Sequence, residues 1–232
     1  MQKFLITFSL LLLSMAGYST WSIIVIDPRT GEIGIAGASC TYSVYGIGGI
    51  VPGKGAIVVQ AMSNKSAKAK GLEMIASGAS PGEILQALKA GRYEPEEQQY
   101  GIVCLASANE PINYTGSETY THKGGLVARG ISVQGNTLSD STALQAILNA
   151  ALKAQSDSLP IAEVLMAALE AGARQGGDKR CGEQKASSAF ITVAKPKDEE
   201  QKPWLNLVVK GEAEGVNAVE ALRKKYDSWK RQ

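Results

Sequence analysis

The chain has 232 residues, 44% hydrophobic and 20% charged, with a formal net charge of +2. That composition belongs to a folded globular protein and excludes a disordered or fibrous one, while a near-neutral chain without clustered basic residues excludes nucleic acid as a partner. Three cysteines are too few for a disulfide-built scaffold, and a single histidine rules out a histidine-rich metal site.

Residues 1–19 have the layout of a secretory leader. Lys3 supplies a positive start, Phe4 to Leu13 is an apolar run broken only by Thr7 and Ser9, and Ser14 to Ser19 is rich in small residues. The run is shorter than the roughly 20 residues a bilayer span needs. The expectation is therefore a cleaved leader, a secreted or periplasmic protein, and no stable membrane insertion afterwards. Two cuts satisfy the small-residue rule: before Thr20, with Gly17 and Ser19 flanking, or before Gly17, with Ser14 and Ala16 flanking. The remainder, 20–232, has no linker, repeat or composition shift and reads as one domain. The oligomeric state, including a homo-oligomer, stays open.

Thr20–Ile26 and Ile33–Ser39 read as a β-hairpin around Asp27-Pro28-Arg29-Thr30-Gly31-Glu32. If Ile26 pairs with Ile33, Thr20 lies opposite Ser39. Ile24 and Ile26 occupy one face and Ile23 and Val25 the other, so layers are expected above and below. Tyr42 to Gly55 is glycine-rich and reads as a loop. Its segment Gly48 to Gly55 approaches a phosphate-binding loop, but Gly55 stands where the magnesium-binding hydroxyl belongs, and a strand (Ala56–Ala61) follows instead of a helix. No cofactor and no metal is expected.

Ser63 or Asn64 caps a helix to about Ser77, and Ser80-Pro81-Gly82-Glu83 opens a second with capping-box spacing. Tyr100–Ala106 and Ile112–Thr115 form a second hairpin, and Leu126–Gln134 a further extended stretch. Ser139 caps a helix to about Ala154, and Pro160 starts another to about Ala173. Ser187–Ala194 and Trp204–Lys210 are strands. An amphipathic tail helix follows, with Val216, Val219, Leu222, Tyr226 and Trp229 on one stripe and Arg223-Lys224-Lys225 on the solvated face. Hairpins alternating with consecutive helix pairs predict an α+β, four-layer αββα sandwich: two antiparallel sheets between helix pairs.

The chemistry narrows to few groups. His122 lies in a polar loop with no nucleophile elbow to accompany it, so a Ser-His-Asp triad lacks support. Cys104 sits mid-strand and reads as a buried hydrophobe. Cys40 and Cys181 lie in polar, glycine-containing segments and could bridge in an oxidising compartment; Cys40 as a thiol nucleophile with His122 is a minor alternative. A threonine exposed as an N-terminus needs no histidine, because its own α-amine, with an unperturbed pKa of about 7.7–8.0, is the base.

Several motifs then carry a family resemblance. Thr20-Trp21-Ser22-Ile23 with Asp27, Thr30-Gly31-Glu32-x-Gly34 and Ala38-Ser39 resemble the opening of the domain of unknown function ten-twenty-eight. Gln134-Gly135-Asn136-x-Leu138 and Gly176-Gly177-Asp178-x-Arg180 resemble its later motifs. The common form continues Arg-Gly-x-Gln-Ser-Ala, where this chain has Cys181-Gly182-Glu183-Gln184-Lys185-Ala186. The resemblance implies an N-terminal-nucleophile (Ntn) hydrolase-like αββα fold. The resulting expectation is a hydrolase of a small amide or peptide, or a cell-wall-derived substrate, with Thr20 as nucleophile. Ser39 would orient its amine, Asn64 or Asn136 would donate to the oxyanion, and Asp178 with Arg180 would shape the pocket or grip a charged substrate. The competing expectation is a non-catalytic binding or structural protein on the same fold.

Overall fold

The structure, a computed structural model, describes residues 20–199 and 201–232; the leader expected over 1–19 lies outside the described residues. Strands β1 (Thr20–Asp27) and β2 (Glu32–Ser39) form the first hairpin, closed by Gly31 at φ +72°. Their register is the expected one, Ile26 against Ile33 and Thr20 against Ser39. Both faces of β1 are buried, as its unbroken apolar run requires.

The glycine-rich segment read as a loop contains a strand, β3 (Gly48–Val51), paired with β4 (Gly55–Ala61) around Pro52-Gly53-Lys54. Its glycines hid it, yet small residues are needed there: a Cβ on Gly49 would press into Leu72, and one on Gly48 into Ile35. Helix α1 (Lys65–Ala76) is capped by Asn64, and α2 (Pro81–Leu88) carries the full capping box of Ser80 and Glu83. Strands β5 (Gln98–Cys104) and β6 (Ile112–Thr115) follow.

The single extended stretch expected over Leu126–Gln134 is a hairpin of its own, β7 (Gly124–Ala128) and β8 (Ile131–Asn136). It turns at Arg129-Gly130, where Gly130 adopts φ +70° against the Ile26 carbonyl. Helix α3 (Ala143–Ser156) starts later than expected. The Ser139 hydroxyl donates to the Gly176 carbonyl instead of capping, and Asp140 takes the Thr142 N–H and hydroxyl. Helix α4 (Ile161–Arg174), strands β9 (Ser188–Ala194) and β10 (Leu205–Val209), and helix α5 (Ala218–Trp229) complete the chain.

Among the described residues, ten strands make two antiparallel sheets, one ordered β10-β9-β2-β1-β8-β7 and one ordered β3-β4-β5-β6. Three apolar cores separate four layers. One lies between the six-stranded sheet and α3, α4 and α5, one between the four-stranded sheet and α1 and α2, and one between the sheets. The αββα sandwich is thus present, with α5 joining the α3–α4 side through contacts to α4, β9 and β10. Helix α4 closes tightly onto β1 because Gly172 leaves room for the Trp21 indole, whose Nε1 donates to the Leu169 carbonyl at 3.4 Å. Arg223 is not on a solvated face: it spans Glu163 (2.7 Å) and Glu170 (2.6 Å) of α4 and ties α5 down.

Candidate active site

Side chains alternate across a strand, so Thr20, Ser22, Ile24 and Ile26 share the β1 face that looks toward the second sheet. Ile24 and Ile26 enter the apolar core between the sheets together with Ile33, Val58, Val103 and Phe190. Two residues toward the start of the strand, the character changes. Ser22 donates to Gln60 Oε1 at 2.6 Å and accepts from Gln134 Nε2 at 2.6 Å. Gln134 Oε1 in turn accepts from the Ser132 hydroxyl (2.9 Å) and Asn113 Nδ2 (3.1 Å).

Thr20 is 2% exposed and lies at this polar end, between Ser39 of β2 and Asn136 of β8 in the ladder. Below it, Gln60 Nε2 donates to the Thr20 carbonyl (3.3 Å) and to Gln99 Oε1 (2.9 Å). Asn136 Nδ2 donates to the same Gln99 oxygen at 2.9 Å. Gln99 Nε2 is directed to the Gly135 carbonyl (2.8 Å), the Thr115 hydroxyl (3.0 Å) and the Gly124 carbonyl (3.2 Å). Every buried side-chain nitrogen and oxygen among the described residues is satisfied, which a buried network needs if it is to hold one arrangement. Two glycines make the network possible. A Cβ on Gly101 would overlap the Gln134 amide, and one on Gly125 would overlap the Asn113 amide.

The other expected residues divide into two groups. Ser39 is fully buried and accepts a hydrogen bond from the Thr41 hydroxyl at 3.2 Å. Asp178 is also fully buried; it forms the ion pair with Arg180, through Nη2 at 2.8 Å and Nε at 3.1 Å, and accepts the Cys40 N–H at 2.6 Å. Because Cys40 follows Ser39, that carboxylate fixes the end of β2 beside Thr20. The Cys40–Cys181 disulfide closes over the same loop, across a separation of 141 residues. Asn64 stands apart. Its Oδ1 accepts the Ala67 N–H and its Nδ2 donates to the Tyr93 carbonyl, so both ends of the amide serve the start of α1.

The disulfide consumes the thiol that a Cys40/His122 hydrolase would require, and that alternative is withdrawn. His122 is exposed, at φ +52°, with Nδ1 2.9 Å from the Leu138 carbonyl. The remaining thiol, Cys104, is pushed up to about 11 by burial and is unreactive in the fold. Among the described residues, no group of three or more His, Cys, Asp or Glu is arranged to hold a metal ion. Positive φ values occur at Ala61, the end of β4, and at Ser63, His122, Thr137 and Lys185 in loops. Such residues cost on the order of 1 kcal/mol each and cluster at functional sites.

Two concavities lie away from Thr20. One of about 640 Å³ is lined by Glu170, Arg174, Lys185, Asn217, Glu220 and Lys224, and one of about 340 Å³ sits at the turn end of β1. Neither includes Thr20.

Sequence reasoning missed Gln60 and Gln99, and gave Ser22 and Gln134, though both stand in the quoted motifs, no role. The signal was present in β1, where alternate positions read Thr, Ser, Ile, Ile: a face that turns from polar to apolar halfway along.

Against known proteins, residues 20–219 match the model of a family of unknown function, DUF1028. Among solved structures, the chain is similar to protein SPO2555 from Silicibacter pomeroyi, described as a DUF1028 family member. The two are 25% identical with a TM-score of 0.74, over 90% of this chain and 88% of that one. No curated protein matches the chain.

Proposed function

This chain belongs to DUF1028, a family of unknown function, and on that premise we propose that it is a secreted or periplasmic amide hydrolase of the Ntn type, with Thr20 as its nucleophile once the leader is removed. The Thr20 hydroxyl attacks the amide carbonyl, and the Thr20 α-amine takes the hydroxyl proton and passes it to the leaving amine. Water then clears the acyl ester by the same route in reverse. Asn136, held by Gln99 across the ladder from Thr20, is the side-chain donor to the oxyanion, a role typically worth about 3–4 kcal/mol. Ser39 orients the amine. Asp178, fully buried, positions Arg180, which is the member of that pair able to meet a charged substrate group.

One observation carries this reading. Thr20 opens the central strand at the polar end of the inter-sheet space, flanked in register by Ser39 and Asn136. The family match also begins at Thr20. The test is intact-mass measurement of the protein as its host processes it, followed by turnover of an amide library. A terminus at Thr20 and loss of turnover in Thr20→Ala, by on the order of 1000-fold or more, are expected. A terminus at Gly17, a retained leader, or an unaffected Thr20→Ala would sink the mechanism.

A non-catalytic reading has its own support: a concavity of roughly 640 Å³ at α4 and α5 does not include Thr20. A binding protein of this kind would show no acyl intermediate with any amide and would be indifferent to Thr20→Ala.

A further inference from the structure

We propose that Gln99 is the positioning residue of the Thr20 site, the group that fixes which way the amides around the threonine point. The proposal rests on the hydrolase reading for its catalytic meaning and on hydrogen-bond polarity for its geometry. An amide side chain can ordinarily be turned over, exchanging its oxygen and nitrogen. Gln99 cannot. Its Nε2 faces two backbone carbonyls, Gly135 at 2.8 Å and Gly124 at 3.2 Å, and a carbonyl oxygen only accepts. The nitrogen must therefore lie on that side, and Oε1 must face the other.

The consequence passes outward in two directions. Oε1 accepts, so Gln60 and Asn136 must each present a nitrogen to it, at 2.9 Å in both cases. With its nitrogen so placed, Gln60 gives its second N–H to the Thr20 carbonyl and turns its oxygen to the Ser22 hydroxyl. With its nitrogen so placed, Asn136 is held in one orientation directly across the ladder from Thr20. Backbone carbonyls of β7 and β8 thus set, through Gln99, the donors on two sides of the threonine. Gln99 touches neither the Thr20 hydroxyl nor its amine, so its role is to position and not to react.

The test uses the host-processed protein beginning at Thr20. Two readouts are taken: acylation by a β-lactone followed by intact mass, and the pKa of the Thr20 α-amine from its ¹⁵N shift. In the first, the Thr20 oxygen bonds to the lactone carbonyl, the ring C–O bond breaks, and the ring oxygen leaves as a hydroxyl carrying the proton. Gln99→Met keeps the volume and removes the polarity. The expected result is a folded protein whose acylation slows on the order of 10- to 100-fold, with a displaced amine pKa. Gln99→Glu is the second variant: held neutral by burial, it keeps one donor and one acceptor and should retain more acylation than Gln99→Met. Ile24→Val, in the apolar half, should lower the melting temperature and move neither readout.

If Gln99→Met lowers the melting temperature but leaves acylation and amine pKa as in the parent, Gln99 is structural only and the proposal fails. If the parent is never acylated while the amine pKa still moves in Gln99→Met, the hydrolase reading fails and the positioning role stands.

Discussion

The space between the two sheets has two ends built to opposite specifications, with β1, β4 and β5 contributing to both. Toward the β1–β2 turn it is filled by Ile24, Ile26, Ile33, Val58 and Val103. Toward Thr20 it is filled by hydroxyls and amides from β1, β4, β5, β6 and β8. The apolar end needs only volume and shape, and tolerates exchanges that preserve both. The polar end needs every donor matched to an acceptor, since each orphaned group costs about 1–3 kcal/mol. A fold gains little stability from such an end compared with an apolar one.

The largest expected effect would come from the covalent clamp on the polar end. Replacing both Cys40 and Cys181 with serine removes closure of a long loop, worth up to about 5 kcal/mol in chain entropy. Urea unfolding should show that loss, with amide exchange rising first at Ser39 to Thr41; equal stability of the two proteins would mean that Asp178 alone holds the loop. Next, Ile24→Ala should cost about 3 kcal/mol through cavity formation. Gln134→Leu should cost somewhat less, about 2 kcal/mol, because it removes one hydrogen-bond partner each from Ser22, Ser132 and Asn113. Should Gln134→Leu prove neutral in denaturation, the polar end is plastic and the contrast between the two ends collapses.

The smallest effect concerns α5, away from both ends. Burial raises the Glu163 carboxyl, but hydrogen bonds from Lys230 and Arg223 outweigh it and hold the group below the usual glutamate range. A carboxyl depressed in the folded state stabilises above its unfolded pKa and loses that contribution as pH falls through the folded value. Unfolding midpoints should therefore fall more between pH 6 and pH 3 in the parent than in Glu163→Gln, by under about 1 kcal/mol for a pair that solvent still partly screens.

Much of this was legible in the residues. The β1–β2 register followed from a turn-rich linker between two apolar runs, and the capping box at Ser80 and Glu83 was written out in sequence. The sandwich followed from hairpins alternating with helix pairs. What stayed hidden depends on contacts between distant strands. β3 was masked by glycines whose smallness is explained only by Leu72 and Ile35. Arg223 looked solvated because Glu163 and Glu170 lie on another helix. At the candidate site, Thr20, Ser39 and Asn136 were found because they share rungs or motifs. Gln60 and Gln99 escaped because a glutamine at a strand end looks like a boundary until the opposite sheet is in place.

The central position of β1 has a further consequence. Chain ends usually fray, and a new terminus made by proteolysis is ordinarily open to stepwise trimming. A chain that begins at Thr20 begins in the interior of a six-stranded sheet, with rungs to β2 on one side and β8 on the other. An aminopeptidase could reach its first peptide bond only by peeling a strand out from between two neighbours. Such a terminus is self-protecting: the hydrogen bonds that build the fold also guard the residue left at its edge.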